Sequence, residues 1–259
     1  MTWNSIMGLV STVALFLPLA FILSLRLGRY RTFPVLIVYY AIACMNNFLG
    51  EGYITSSPQM IKYFGLTNNL LDAPLMLLFL TYFCTSPVQA KRMRILILSL
   101  IAFEAIIVSF NGLNKNSITI ILGAGLSIVA GFCLYFFIRN AKKAITHHKA
   151  TGKALMISSL LFLYGCFTIL YLLYYVFQTH IVDNKINEQY LSDTFLVFFF
   201  AITFSSLLMC AGIYVESKRI QKLNELKITR KELSSIYEGT QKAAPLRAAL
   251  LDFDKNHFN

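Results

Sequence analysis

Seven apolar stretches, at 4–26, 33–55, 66–84, 93–111, 117–139, 154–178 and 192–215, constrain this chain more than any other feature. At a rise of about 1.5 Å per residue, each is roughly long enough to cross a hydrocarbon layer about 30 Å thick. In lipid, backbone polar groups must be satisfied inside the protein, so stretches of this length fold as helices. The sequence therefore predicts an all-α, polytopic membrane protein. A seven-transmembrane helix bundle covers 1–215, and a cytoplasmic helix and tail cover 216–259. With 259 residues, 57% of them hydrophobic, and short connections, no room is left for a separate soluble domain.

Charge gives the expected direction of threading. Of 23 lysines and arginines, 20 lie in alternate gaps or in the tail: Arg26, Arg29 and Arg31; Lys91, Arg92 and Arg94; Arg139, Lys142, Lys143, Lys149 and Lys153; and nine after Glu216. The other gaps hold only Lys62, Lys115 and Lys185. The positive-inside rule then places the N-terminus outside and the C-terminus in the cytoplasm. The net charge of +11 has the lipid bilayer as its partner rather than nucleic acid, because the basic residues flank span ends. The first span lacks a basic leader and a small-residue cleavage site, so it is expected to be retained. Cys44, Cys84, Cys133, Cys166 and Cys210 lie in or beside spans, and no disulfide framework is expected.

Several familiar chemistries are missing. Covalent retinal requires a lysine in the last span, and 194–215 has none. His147, His148, His180 and His257 do not supply a zinc or bis-histidine haem site within the bundle, so no cofactor is expected. No nucleophile elbow or phosphate-cradling loop is present.

Ionisable groups inside hydrocarbon cost about 3 kcal/mol each on insertion scales, so each needs a reason. Apart from Asp193 at the very start of the seventh span, three acids fall within the predicted spans: Glu51, Asp72 and Glu104. Tyr40, Asn47 and Glu51 share one helical face, as do Asn68 and Asp72, with Asn69 beside them. Counting from the predicted span ends puts Asn47 level with Asp72, and Glu51 level with Asn68. An Asn/Asp/Glu cluster is expected between the second and third helices, in the outer half of the membrane. Tyr164, Thr168 and Tyr171 recur at helical spacing on the sixth span and are expected to face it; Tyr174, Tyr175 and Tyr190 read as an interfacial belt. Away from the span ends no lysine or arginine lies inside a span, so a cation, a proton or an amine is the expected complement. The candidate ligand-binding set is Asn47, Glu51, Asn68, Asn69, Asp72, Glu104, Tyr164, Thr168 and Tyr171. Pro18 and Pro74 are expected to kink their helices, and Gly123, Gly125 and Gly131 to admit a close neighbour. Asp72 and Asp193 have similar surroundings, an echo that fits a plan of three spans, a linker span and three more.

Ile220, Leu223 and Leu233 continue a helical period beyond the seventh span, to a stop at Gly239. That helix is expected to lie on lipid through its lysines or to pair with another copy of the chain. The runs LTNNLLDAPLMLLFLTYF at 66–83, followed by KRMR, and ESKRIQKLNELKITRKEL at 216–233 resemble small uncharacterised seven-span bacterial membrane proteins. They are also similar to the multispan sensor regions that precede histidine kinases. The resemblance implies a bacterial inner (plasma) membrane protein. Lacking a phosphoacceptor motif and an ATP domain, it is expected to pass any signal to a cytoplasmic partner through 216–259. The leading expectation is a sensor or accessory module that binds a small, cationic ligand in an outer polar pocket and relays through the last helix. A solute or ion transporter is the alternative. A membrane enzyme using Glu51 and Asp72 as an acid–base pair on lipid is the third.

Overall fold

The computed structural model describes residues 3–30, 32–147, 150–180 and 184–237, with side chains described over 6–30, 32–114, 116–146, 150–173 and 196–230. The expected helix stop at Gly239, the end of the tail, and the side chains of Tyr174, Tyr175, Tyr190 and Asp193 lie outside these residues. Seven α-helices follow in order: α1 (Trp3–Ser24), α2 (Phe33–Gly50), α3 (Pro58–Thr81), α4 (Pro87–Asn111), α5 (Lys115–His147), α6 (Thr151–His180) and α7 (Asn184–Tyr237). A 3-10 turn, Leu27–Arg29, joins α1 to α2. All seven helices contain a segment long and apolar enough to cross a membrane. The seven-helix, all-α architecture expected from hydropathy is thus the one observed.

The chain divides into two compact units, Met1–Glu216 and Ser217–Asn259. In the first, α3 is central and packs on α2, α4 and α5, while α1 packs on α2 and α5 on α6. The helices bury one face and expose an apolar one. On α4, Met93, Ile97, Leu100 and Glu104 form the buried stripe, while Leu98, Ile106 and Phe110 are 67%, 55% and 84% exposed. Such a surface suits a hydrocarbon solvent and would be an aggregation hazard in water. In the second unit, residues 221–230 are exposed along their helix, including Leu226 and Ile228.

Local chemistry sets the helix starts. Ser57 and Ser86 are N-caps, accepting hydrogen bonds from the backbone N–H groups of Met60 at 3.3 Å and of Val88 and Gln89 at 3.2 and 3.4 Å. Pro58 and Pro87 follow at the first helical position, where the missing N–H has no bond to lose. The α2–α3 connection is therefore shorter and earlier than hydropathy suggests. α2 ends at Gly50, with Glu51 at its C-cap, and α3 begins eight residues before the predicted 66.

Close approaches depend on missing side chains. A methyl group at Gly125 would lie 2.9 Å from Ala73 Cβ, which sets the α3–α5 spacing. One at Gly212 would lie 2.8 Å from the Met156 backbone nitrogen, between α7 and α6. At Gly131 nothing lies within 4 Å, so the expected packing role falls to Gly125 and Gly123 alone. The α6–α7 seam is also clasped. Ser159 Oγ donates to Ser205 O at 2.7 Å, and Ser205 Oγ donates to Ser159 O at 3.2 Å.

Candidate functional site

The early start of α3 changes which polar residues meet. Asn46 lies beside Gly65, its Oδ1 3.6 Å from where a Cβ would sit. Farther along the same seam, Asp72 interacts with Tyr39 rather than facing Asn47. The expected register is thus slipped by about two helical turns. Asp72 lies about 21 Å along a helix about 36 Å long, farther from the start of α3 than the predicted span end at 66 implied.

At that level Tyr164, fully buried on α6, donates its hydroxyl to Asp72 Oδ2 at 2.8 Å. This bond and Tyr39 beside it sit at the wall of a partly open cavity of about 520 Å3 among the helices. α2 contributes Tyr39, Tyr40, Asn46 and Asn47; α3 contributes Asn68, Asn69 and Asp72. α6 and α7 supply Phe167, Tyr171, Phe198, Ser205 and Ser206, with leucines from α1, α5 and α6 between them. Phe167 and Phe198 stack with ring centroids 5.2 Å apart, forming a flat aromatic wall. Among the described residues the lining holds one ionisable acid, Asp72, and no lysine, arginine or histidine.

Gly123 on α5 makes room for Tyr171, since a methyl there would lie 2.6 Å from the phenolic oxygen. Asn47 donates to Thr12 Oγ1 at 2.8 Å, and Thr12 in turn donates to Gly8 O at 2.8 Å. One polar chain therefore runs from the cavity into α1.

Of the predicted set, the structure brings Asn47, Asn68, Asn69, Asp72 and Tyr171 to the cavity, and Tyr164 to it through Asp72. Glu51, Thr168 and Glu104 are not among the lining residues. Glu51 is exposed at the end of α2, with its carboxylate against Gly8, where a methyl would lie 2.9 Å from both oxygens. Thr168 turns its hydroxyl back to Tyr164 O at 2.7 Å, the usual i−4 bond of a threonine inside a helix. Glu104 lies on the buried stripe of α4, 7% exposed, and its Oε1 has no hydrogen-bond partner. Tyr39, Asn46, Ser205 and Ser206 were not anticipated. The adjacent serines in an otherwise apolar part of α7 were the visible signal for two of them.

No family model, curated protein or solved structure matches this chain. Its chemistry therefore has to be read from the cavity. Among the described residues, no three His, Cys, Asp or Glu side chains gather as a metal site would require. The described lining is an apolar and aromatic container with a few amides and one acid. A container of this size has room for a compact organic molecule, and a carboxylate on its wall is the complement of a positive group.

Proposed function

We propose that this is a bacterial inner-membrane protein that binds a small, predominantly apolar cation in the central cavity and relays occupancy through α7 to a cytoplasmic partner. The observation that carries the reading is Asp72 on a wall that holds no basic residue among the described ones. A half-buried carboxylate bonded to a neutral tyrosine still lacks a counter-charge, and a cationic ligand supplies it. Phe167 and Phe198 give the apolar body of such a ligand a surface to stack on and its charge a ring face to approach. In the proposed orientation the N-terminus is outside, because most of the cations cluster in the tail and in or beside the helix ends that meet at the α1–α2, α3–α4 and α5–α6 connections. The likeness of 216–233 to the exits of kinase sensor regions supports a signalling or accessory role.

Thermal unfolding of the purified protein against a panel of small amines and quaternary ammonium compounds tests the reading. A ligand present at a hundredfold excess over Kd stabilises the fold by about 2.7 kcal/mol. The wild type should gain this and Asp72→Asn should not. A panel that stabilises both proteins equally, or neither, overturns the proposal.

A second reading, transport, is favoured by one observation: Asp72 lies well inside α3, away from either helix end, as the substrate sites of transporters do. Vesicle uptake of the compound identified above separates the two. Flux that disappears in Asp72→Asn supports transport, and saturable binding without flux supports the sensor.

A further inference from the structure

The cavity is not the only space that Asp72 borders. A narrow second cleft lies in the seam between α2 and α3, lined by Tyr39, Ile42, Asn68, Leu71, Asp72 and Leu75. Tyr39, Asn68 and Asp72 belong to both linings, so these three side chains form the partition between cleft and cavity. The remaining three, Ile42, Leu71 and Leu75, are all apolar.

This cleft faces out of the bundle. On α2, Val38 and Met45 flank Ile42 at helical spacing and are 47% and 45% exposed. On α3, Leu71 is 39% exposed. In a helix that crosses a membrane, such a face is bathed in acyl chains, not in water. From the outside inward, the seam therefore runs from exposed aliphatic side chains, through a rim of Ile and Leu, to a tyrosine, an amide and a carboxylate.

From this sequence of surfaces we propose that the ligand is a lipophilic cation dissolved in the bilayer, which enters sideways between α2 and α3 with its charge drawn to Asp72. The inference rests on the cation-binding reading of the cavity and adds the class of molecule and its route. A compact, strongly hydrated cation has to shed its water to pass an Ile/Leu rim, at a large desolvation cost. A cation already partitioned into the membrane by an apolar body has done so beforehand. Its body then exchanges acyl-chain contacts for those of Leu71, Leu75 and the aromatic wall, while its charge gains a carboxylate. The cleft is closed in this structure, so passage requires α2 and α3 to part locally, and Leu71, partly exposed at the rim, is a side chain that such a passage has to displace.

The test uses the full chain in phosphatidylcholine nanodiscs with two probes, tetraphenylphosphonium, which enters the bilayer, and choline, which stays in water. Tetraphenylphosphonium should bind saturably to the wild type, and an equal concentration of choline should not displace it. Asp72→Asn should weaken binding by at least about tenfold, as expected when a desolvated charge loses its partner. Leu71→Trp, a change at a partly exposed position, should slow association by about fivefold or more, and Leu71→Ala should accelerate it. If both Leu71 variants keep the wild-type association rate, or choline competes fully, the lateral route is overturned while the cavity reading stands. If neither probe binds in an Asp72-dependent way, the cavity reading fails and this inference falls with it.

Discussion

The Tyr164–Asp72 hydrogen bond gives the sharpest test of how this bundle is assembled. Tyr164→Phe deletes one oxygen from a fully buried side chain and leaves its ring, packed edge-on to Phe167, in place. No apolar surface is lost, so the change isolates the 2.8 Å bond to Asp72. A hydrogen bond to a charged acceptor contributes about 1.5–3 kcal/mol in soluble proteins, whereas bonds between transmembrane helices average about 0.6 and reach about 1.7. For a short bond made by a fully buried hydroxyl, a loss of about 1–2 kcal/mol is expected. In an Asp72→Asn background the acceptor is a neutral amide, and the same tyrosine change should cost only about half as much. Reversible unfolding in mixed detergent and dodecyl sulfate micelles measures all four corners of the cycle. A coupling below about 0.5 kcal/mol, the level at which independent sites add, would refute the claim that this hydroxyl serves the carboxylate.

Other substitutions probe the packing and the buried acid of α4. Gly212→Ala brings a methyl to 2.8 Å from a backbone nitrogen that cannot rotate away, so unfolding should show a loss of about 1–3 kcal/mol; unchanged stability would contradict the α6–α7 spacing. Gly123→Ala meets the movable end of Tyr171 instead, so stability should change little while binding of any cavity ligand weakens measurably in equilibrium titration. Glu104→Met replaces a buried carboxyl whose Oε1 has no partner, and should stabilise the bundle by about 1–3 kcal/mol; a loss of that size would mean that the acid holds something. A single cysteine placed at Ser57, in a background with the five native cysteines replaced, should react with an impermeant maleimide added outside intact cells. Labelling only after lysis would invert the proposed orientation.

Hydropathy made the seven helices legible because lipid leaves the chain no other way to satisfy its backbone. It did not give the register between α2 and α3. The apolar window near 66 hid a helix that begins at Pro58, because Lys62 and Tyr63 in its first turns look like loop residues by polarity alone. Ser57 followed by Pro58 was the physical signal for that start, an N-cap acceptor ahead of a residue with no N–H to satisfy. Missing it displaced Asp72 by two turns and paired it with Asn47 instead of Tyr39. The face shared by Asn68 and Asp72 survived, since spacing within one helix does not depend on where the helix begins. Tyr164 was found for the same reason. Thr168 stands off the cavity lining, and periodicity could not show this, because it cannot tell a hydroxyl aimed at a neighbour from one folded back on its own helix. Glu51 was misplaced by the end of α2, five residues before the predicted one.

The paired serines of α6 and α7 bear on how occupancy of the cavity would be felt elsewhere. Ser159 and Ser205 each donate to the other's carbonyl, and Gly212 presses against the Met156 backbone seven residues farther along α7. Sliding one rod along the other by a single turn would break both bonds in a medium that offers no replacement donors. The two helices are therefore geared together, and a push on the stacked rings of Phe167 and Phe198 is delivered to a hairpin, not to a lone piston.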